Sequence, residues 1–136
     1  MSHCERYVFS IRDWEERENI ITPRYYFNPC SYRQFVYLFG GKQTVQAEMY
    51  DIGVDCFTAL DLPLPQSGAT CAVLVEENKI AVIQKTGMLY WNIYWRETEE
   101  EGQLIENIEN CWGNASPIFY QDCIYVPHSR IQILRV

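Results

Sequence analysis

Two landmarks recur along this chain at a common interval, and that recurrence constrains its fold more than any other feature. Short apolar runs at Phe35-Val36-Tyr37-Leu38-Phe39, Lys79-Ile80-Ala81-Val82-Ile83 and Cys123-Ile124-Tyr125-Val126 place Leu38, Val82 and Tyr125 44 and 43 residues apart. Aromatic pairs seven residues apart, Tyr7/Trp14 and Tyr50/Phe57, are offset by 43 residues. An internal repeat of this length means that one supersecondary unit is stacked several times.

Each apolar run follows another one. Pro23-Arg24-Tyr25-Tyr26-Phe27 precedes the first, Thr70–Val75 the second and Ser116–Tyr120 the third. Glu76-Glu77-Asn78 and Gln121-Asp122 link the later two pairs, so the pairs read as β-hairpins. Nearly continuous apolar character predicts that both faces of these inner strands are buried. Outer strand pairs are expected over 6–11 with 14–20, 46–51 with 55–60, and 88–95 with 103–108. The acidic run Glu97–Gly102 reads as a solvated outer loop. Four short strands per repeat of about 45 residues is the arrangement of β-propeller blades. The predicted class is all-β, an incomplete propeller of four-stranded antiparallel blades with almost no helix. The blade limits are 1–22 (outer strands only), 23–64, 65–109 and 110–136.

The residues resemble kelch repeats. That pattern has an apolar strand ending in Gly-Gly, a variable loop, Tyr-Asp, an aromatic seven residues after the Tyr, and a Pro-Arg-like turn into the next blade. Val36–Gly41, Tyr50-Asp51 and Phe57 match it in order, and Pro63 to Gly68 sits at the turn. Tyr7, Trp14 and Pro23-Arg24 match the second half of the preceding blade. Paired glycines permit a sharp turn with φ > 0 and close backbone approach, and the aromatics fill space between blades. Later repeats depart from the pattern. Gln84-Lys85 and Pro127-His128 stand where Gly-Gly is expected, and Tyr90–Trp95 replaces the Tyr-to-aromatic spacing. The resemblance implies a non-enzymatic protein-interaction or scaffold module, of the kind that serves adaptors, cytoskeletal proteins and complex subunits. The alternative it implies is a fragment of a propeller enzyme, an oxidase or a sugar-acting protein. About three blades cannot close a ring of at least four. Self-association, or completion of the propeller by another chain, is therefore expected.

Composition narrows the partners. With 18 acidic and 11 basic residues the net charge is −7, which disfavours nucleic acid and anionic membranes. No run approaches the roughly 18 apolar residues of a membrane span. The first six residues carry no apolar signal core, so the expected location is cytoplasmic, with the six cysteines reduced. Cys56 and Cys71 are expected in the core. Two histidines, His3 and His128, lie far from any zinc-like spacing, and no nucleophile, phosphate-loop or metal motif occurs. No catalytic, metal or cofactor site is predicted. Asp51, Asp55 and Asp61 read as turn residues, and His128 as a loop residue. Asn114-Ala115-Ser116 fits a glycosylation pattern that carries no weight here. Aromatics at Tyr90, Trp91, Tyr94 and Trp95 cannot all share one strand face, so some must point outward.

In kelch propellers that bind peptides, one rim forms the pocket. The matching positions are Arg24, Lys42, Gln43, Gln66, Lys85 and Arg130. Four of them are cationic, which suits an acidic peptide segment held by charge-assisted hydrogen bonds.

Overall fold

The computed structural model describes residues 3–61, 64, 67–84, 87–103, 117–127 and 131–135, without side chains for 100–103, 127 and 131–135. Every regular element among them is a β-strand. An N-terminal hairpin pairs β1 (Glu5–Val8) with β2 (Asp13–Glu16). A second sheet is a four-stranded antiparallel meander of β4 (Cys30–Tyr32), β5 (Phe35–Phe39), β6 (Ala47–Asp51) and β7 (Cys56–Leu60). The third contains β8 (Thr70–Glu76), β9 (Lys79–Ile83), β10 (Gly87–Asn92) and β11 (Glu97–Gln103) in the same order. Its inner edge gains a parallel neighbour, β3 (Phe27–Asn28). A fourth sheet joins β12 (Ile118–Tyr120), β13 (Cys123–Pro127) and β14 (Ile131–Arg135).

The sheets pack face to face because inner strands are apolar on both sides. From the second sheet Tyr37, Phe39, Ala47 and Met49 meet Ala72, Ile80, Val82, Leu89 and Trp91 of the third. Trp91 is edge-on to Tyr37 and Phe39, with ring centroids 5.5 and 5.6 Å away. The opposite face of the third sheet, Cys71, Val75, Ala81 and Ile83, meets Ile124 and Val126 of the fourth. Each fully buried side chain of this size contributes about 1.5–3 kcal/mol, so β8 and β9, buried on both faces, anchor the stack.

The repeat is also written into the backbone. Arg12, Asp55 and Arg96 hold φ of 53°, 54° and 53° at the turns of the three outer hairpins. Tyr7 lies opposite Trp14 and Tyr50 opposite Phe57, so the seven-residue spacing is the cross-strand register of the hairpin. In the third sheet Trp91 lies opposite Thr98. The seven-residue register is therefore kept there, while the Tyr-to-aromatic pair is lost as the sequence indicates, with Thr in place of the second aromatic.

Two strand assignments and one burial expectation need correction. The partner of β5 is Cys30–Tyr32, not 23–27. Residues 23–27 form a crossover instead: Tyr25 bridges Lys42, and Phe27 begins the strand that pairs with the next sheet. Tyr26 at φ 55° breaks that run of strand-forming residues. The acidic run 97–102 lies within β11 rather than in a loop, with the turn at residues 93–96. Its charge is met in part by Asn92, which donates to Glu99 at 2.8 Å, and by Lys79, 3.5 Å from the same carboxylate. Finally, Cys71 is buried as expected, but Cys56 is exposed at the start of an outer strand. Residues 104–108, Cys111, Asn114–Ser116 and His128 lie outside the described residues.

Candidate functional site

At one rim the β5–β6 loop meets the crossovers between sheets. Gly40 (φ 56°) and Gly41 (φ 115°) turn the chain there. A Cβ on Gly41 would sit 2.8 Å from the Tyr25 carbonyl oxygen, so the crossover can pass this closely only over glycine. Lys42 N–H donates to that same carbonyl at 2.8 Å, and Gly68 N–H donates to Gly41 O at 3.0 Å. Lys42 Nζ rests 5.7 and 5.5 Å from the ring centroids of Tyr25 and Tyr26, which are edge-to-face with each other. The rim thus presents a cation on an aromatic platform, with exposed Gln43 beside it at φ 77°.

Of the six rim residues expected from sequence, Lys42 and Gln43 are exposed here. Gln66, Lys85 and Arg130 lie outside the described residues. Arg24 does not belong to a binding rim: it is 1% exposed. Its Nη2 meets Glu48 Oε2 at 2.6 Å, and its Nη1 donates to Gly40 O at 2.9 Å and Gln46 O at 3.0 Å. Glu48, equally buried, also accepts from the N–H groups of Ile21 and Thr22 at 2.8 and 3.1 Å. A buried charge pair persists only when its remaining donors and lone pairs are satisfied. Here they are, and the pair clamps the first crossover onto the second sheet.

The junction between the first two sheets holds a second polar cluster. Asp55 Oδ1 accepts from Tyr50 Oη at 2.7 Å and Glu18 N at 3.0 Å, with Arg17 Nε 3.3 Å away. These contacts, led by the Glu18 N–H and the Tyr50 hydroxyl, hold the carboxyl below its ordinary range. Burial first, and then Asp55, raise the Tyr50 phenol. Asp51 caps its own turn through Gly53 N–H at 2.8 Å. Both are turn and junction chemistry, as their sequence positions suggested. Behind this cluster lies a cavity of about 380 Å³, lined by Cys4 just ahead of β1, Arg6 on β1, Ile20, Phe27 on β3, and Val36 and Leu38 on β5.

The two ends of the stack differ from its middle. Tyr50 is 8% exposed and stacks on Phe57 at 4.5 Å. Tyr7 and Trp14 hold the same repeat positions but are 39% and 60% exposed, with Phe9 against Tyr7 at 85%. At the other end Ile118 and Tyr120 are 59% and 60% exposed. Tyr94 and Trp95 also point outward, at the β10–β11 turn beyond the end of the strand, while Trp91 on β10 is buried. The register of the aromatic pairs identifies the residues that form the exposed apolar face of the first hairpin.

No family model matches the chain, and no curated protein matches it. Among solved structures, YjhT superposes with a TM-score of 0.57 over 79% of this chain at 13% identity. The matched region is 34% of YjhT, so the chain spans about a third of that protein's length. At this identity the likeness is one of fold. Among the described residues no helix is long and apolar enough to cross a membrane, and no cluster of three or more His, Cys, Asp or Glu could hold a metal ion.

Proposed function

We propose that this chain is a segment of a kelch-type β-propeller that works, without catalysis, as a protein-interaction scaffold in the cytoplasm. The observation that carries this reading is the contrast between equivalent aromatics. Tyr50 is buried and Phe57 half-buried behind the first hairpin, whereas Tyr7 and Trp14 are exposed among the described residues. Stacked repeats bury their apolar faces against neighbours, and terminal repeats that lack a polar outer face need a cover. The Lys42–Tyr25–Tyr26 platform offers a second contact point, suited to an acidic peptide segment.

Solution mass tests the proposal. Residues 1–136, purified alone and held at low micromolar concentration, should associate, or stay folded only against another protein. At about 25 cal/mol per Å², a few hundred Å² of apolar surface uncovered at each end forfeits several kcal/mol. That is comparable to the whole stability of a small domain, about 5–15 kcal/mol. A soluble monomer with a cooperative melt would contradict the proposal.

A further inference from the structure

The second and third sheets also meet at the rim opposite the Gly40-Gly41 loop. In each four-stranded meander the first and third turns lie at one end and the second at the other. The β4–β5 turn (33–34) and the β10–β11 turn (93–96) are joined there, because the hydroxyls of Tyr32 and Tyr94 are 3.0 Å apart. Buried polar groups hold the β10–β11 turn. Asn92, 1% exposed, accepts from the N–H groups of Tyr94 and Trp95 at 2.9 and 3.0 Å and donates to Glu99 at 2.8 Å. Ile93 N–H donates to Asn78 O at 2.8 Å. The backbone is thus fixed where three consecutive side chains, Tyr94, Trp95 and Arg96, reach solvent.

Core packing does not account for those side chains. Tyr94 and Trp95 are 55% and 69% exposed, and Val54 at the β6–β7 turn of the same end is 69% exposed. Arg96 stands at φ 53°, where the second sheet places Asp55 at φ 54°, and Arg33 stands at φ 55°. Asp and Asn enter this region far more readily than an arginine does. Residues kept in such strained conformations cluster at binding sites. Arg6, Arg17 and Arg24 each meet a carboxylate. Arg33 and Arg96 meet none among the described residues, although the net charge is −7 and Glu77 and Glu97 are exposed at the same end. Arg33 lies instead 5.2 Å over the Tyr32 ring. Two unpaired cations therefore accompany a rigid aromatic tip, and Trp, Tyr and Arg are the side chains that contribute most at protein interfaces.

We propose that this rim docks a short segment of another protein in which apolar residues stand beside carboxylates. The carboxylates take Arg33 and Arg96, and the apolar residues lie on Tyr94, Trp95 and Val54. A carboxylate accepts both prongs of a guanidinium, and a turn already fixed by Asn92 loses little freedom on binding. At about 200 Å² per large side chain, the exposed parts of these five residues offer about 500 Å². That is over half of the roughly 800 Å² each partner contributes to a standard interface, the scale of a short segment. An anionic bilayer carries matching charge, but the net charge of −7 repels it.

This assignment rests on the protein-interaction reading and adds a contact opposite the Lys42 platform. Fluorescence polarisation tests it with labelled synthetic peptides, each carrying an apolar pair flanked by Asp and Glu, beside analogues with Asn and Gln in their place. The carboxylate peptides should bind about tenfold more tightly than the amide ones. Trp95→Ala should weaken that binding about tenfold or more, and Arg33→Ala and Arg96→Ala about fivefold each. Far-UV spectra should not change, since all three side chains are exposed. Lys42→Ala should leave most of the binding intact. Equal binding of both peptide kinds, or none, would overturn the proposal. So would loss on Lys42→Ala with no effect of Trp95→Ala, or capture by phosphatidylserine vesicles in place of the peptides. Each of these leaves the scaffold reading standing, which falls instead on a soluble monomer in the solution-mass measurement.

Discussion

Replacing Arg24 with Ala should unfold this chain far more readily than a rim substitution would. Nothing of the guanidinium reaches solvent, and its loss strands the Glu48 carboxylate, which is 1% exposed. Removing one partner of a buried pair costs about 3–5 kcal/mol, because the other charge remains desolvated. Four carbonyls, Thr22 O, Leu38 O, Gly40 O and Gln46 O, lose a charged donor as well. Glu48 keeps the Ile21 and Thr22 N–H groups, which places the expected loss near 4 kcal/mol rather than above it. Arg24→Lys should cost less, since an ammonium keeps the charge but cannot span the same fork of acceptors. Urea titration followed by tryptophan fluorescence reads these losses at one fixed protein concentration, because association would shift the midpoint. A loss under about 1 kcal/mol for Arg24→Ala, with weakened binding of an acidic peptide in its place, would refute the clamp and restore Arg24 to the rim.

Two further outcomes are expected. Gly41→Ala should destabilise by about 2–4 kcal/mol, through its φ of 115° and a Cβ 2.8 Å from Tyr25 O, and Gly68→Ala by less, because nothing lies within 4 Å of its Cβ. Equal losses in urea melts would show that the crossover does not press on Gly41. Iodoacetamide should label exposed Cys56 in the native chain, while Cys30, its thiol pushed up to about 11 by burial, and Cys71 react only on unfolding. Peptide mapping by mass spectrometry checks the order, and early labelling of Cys30 would contradict the packing between the second and third sheets.

Much of this fold can be read from local pattern, and the exceptions have physical causes. The outer hairpins show in the sequence because cross-strand aromatics are separated by the length of the hairpin itself, seven residues. Gly40-Gly41 shows because only glycine leaves room there: a Cβ would meet Leu64 Cδ1 at 2.5 Å from Gly40 and Tyr25 O at 2.8 Å from Gly41. The strand Cys30–Tyr32 hides because it is three residues long with polar Ser31 at its centre, beside a run at 23–27 of stronger strand propensity. That run fails as the partner of β5 through tertiary demands: Arg24 must reach Glu48, and Tyr25 must meet Lys42. Strand β11 hides because a run of glutamates suggests a solvated loop, whereas an outer strand can hold them where Asn92 and Lys79 answer Glu99. Arg24 misleads for a related reason. A lone arginine in sequence reads as surface, and the acid that buries it lies 24 residues away.

The central claim is that the end faces of this stack are covered in the working protein. Hydroxyl-radical footprinting with mass spectrometry tests it directly, on the chain at concentrations where it is associated. Tyr7, Trp14, Ile118 and Tyr120 should then be oxidised far less than Tyr94 and Trp95, which are exposed to a similar extent in the single chain but lie at the β10–β11 turn, away from both faces. Dilution to the monomer should return the four to the level of Trp95. Oxidation of Trp14 and Tyr120 as strong as that of Trp95 in the associated state would contradict the claim.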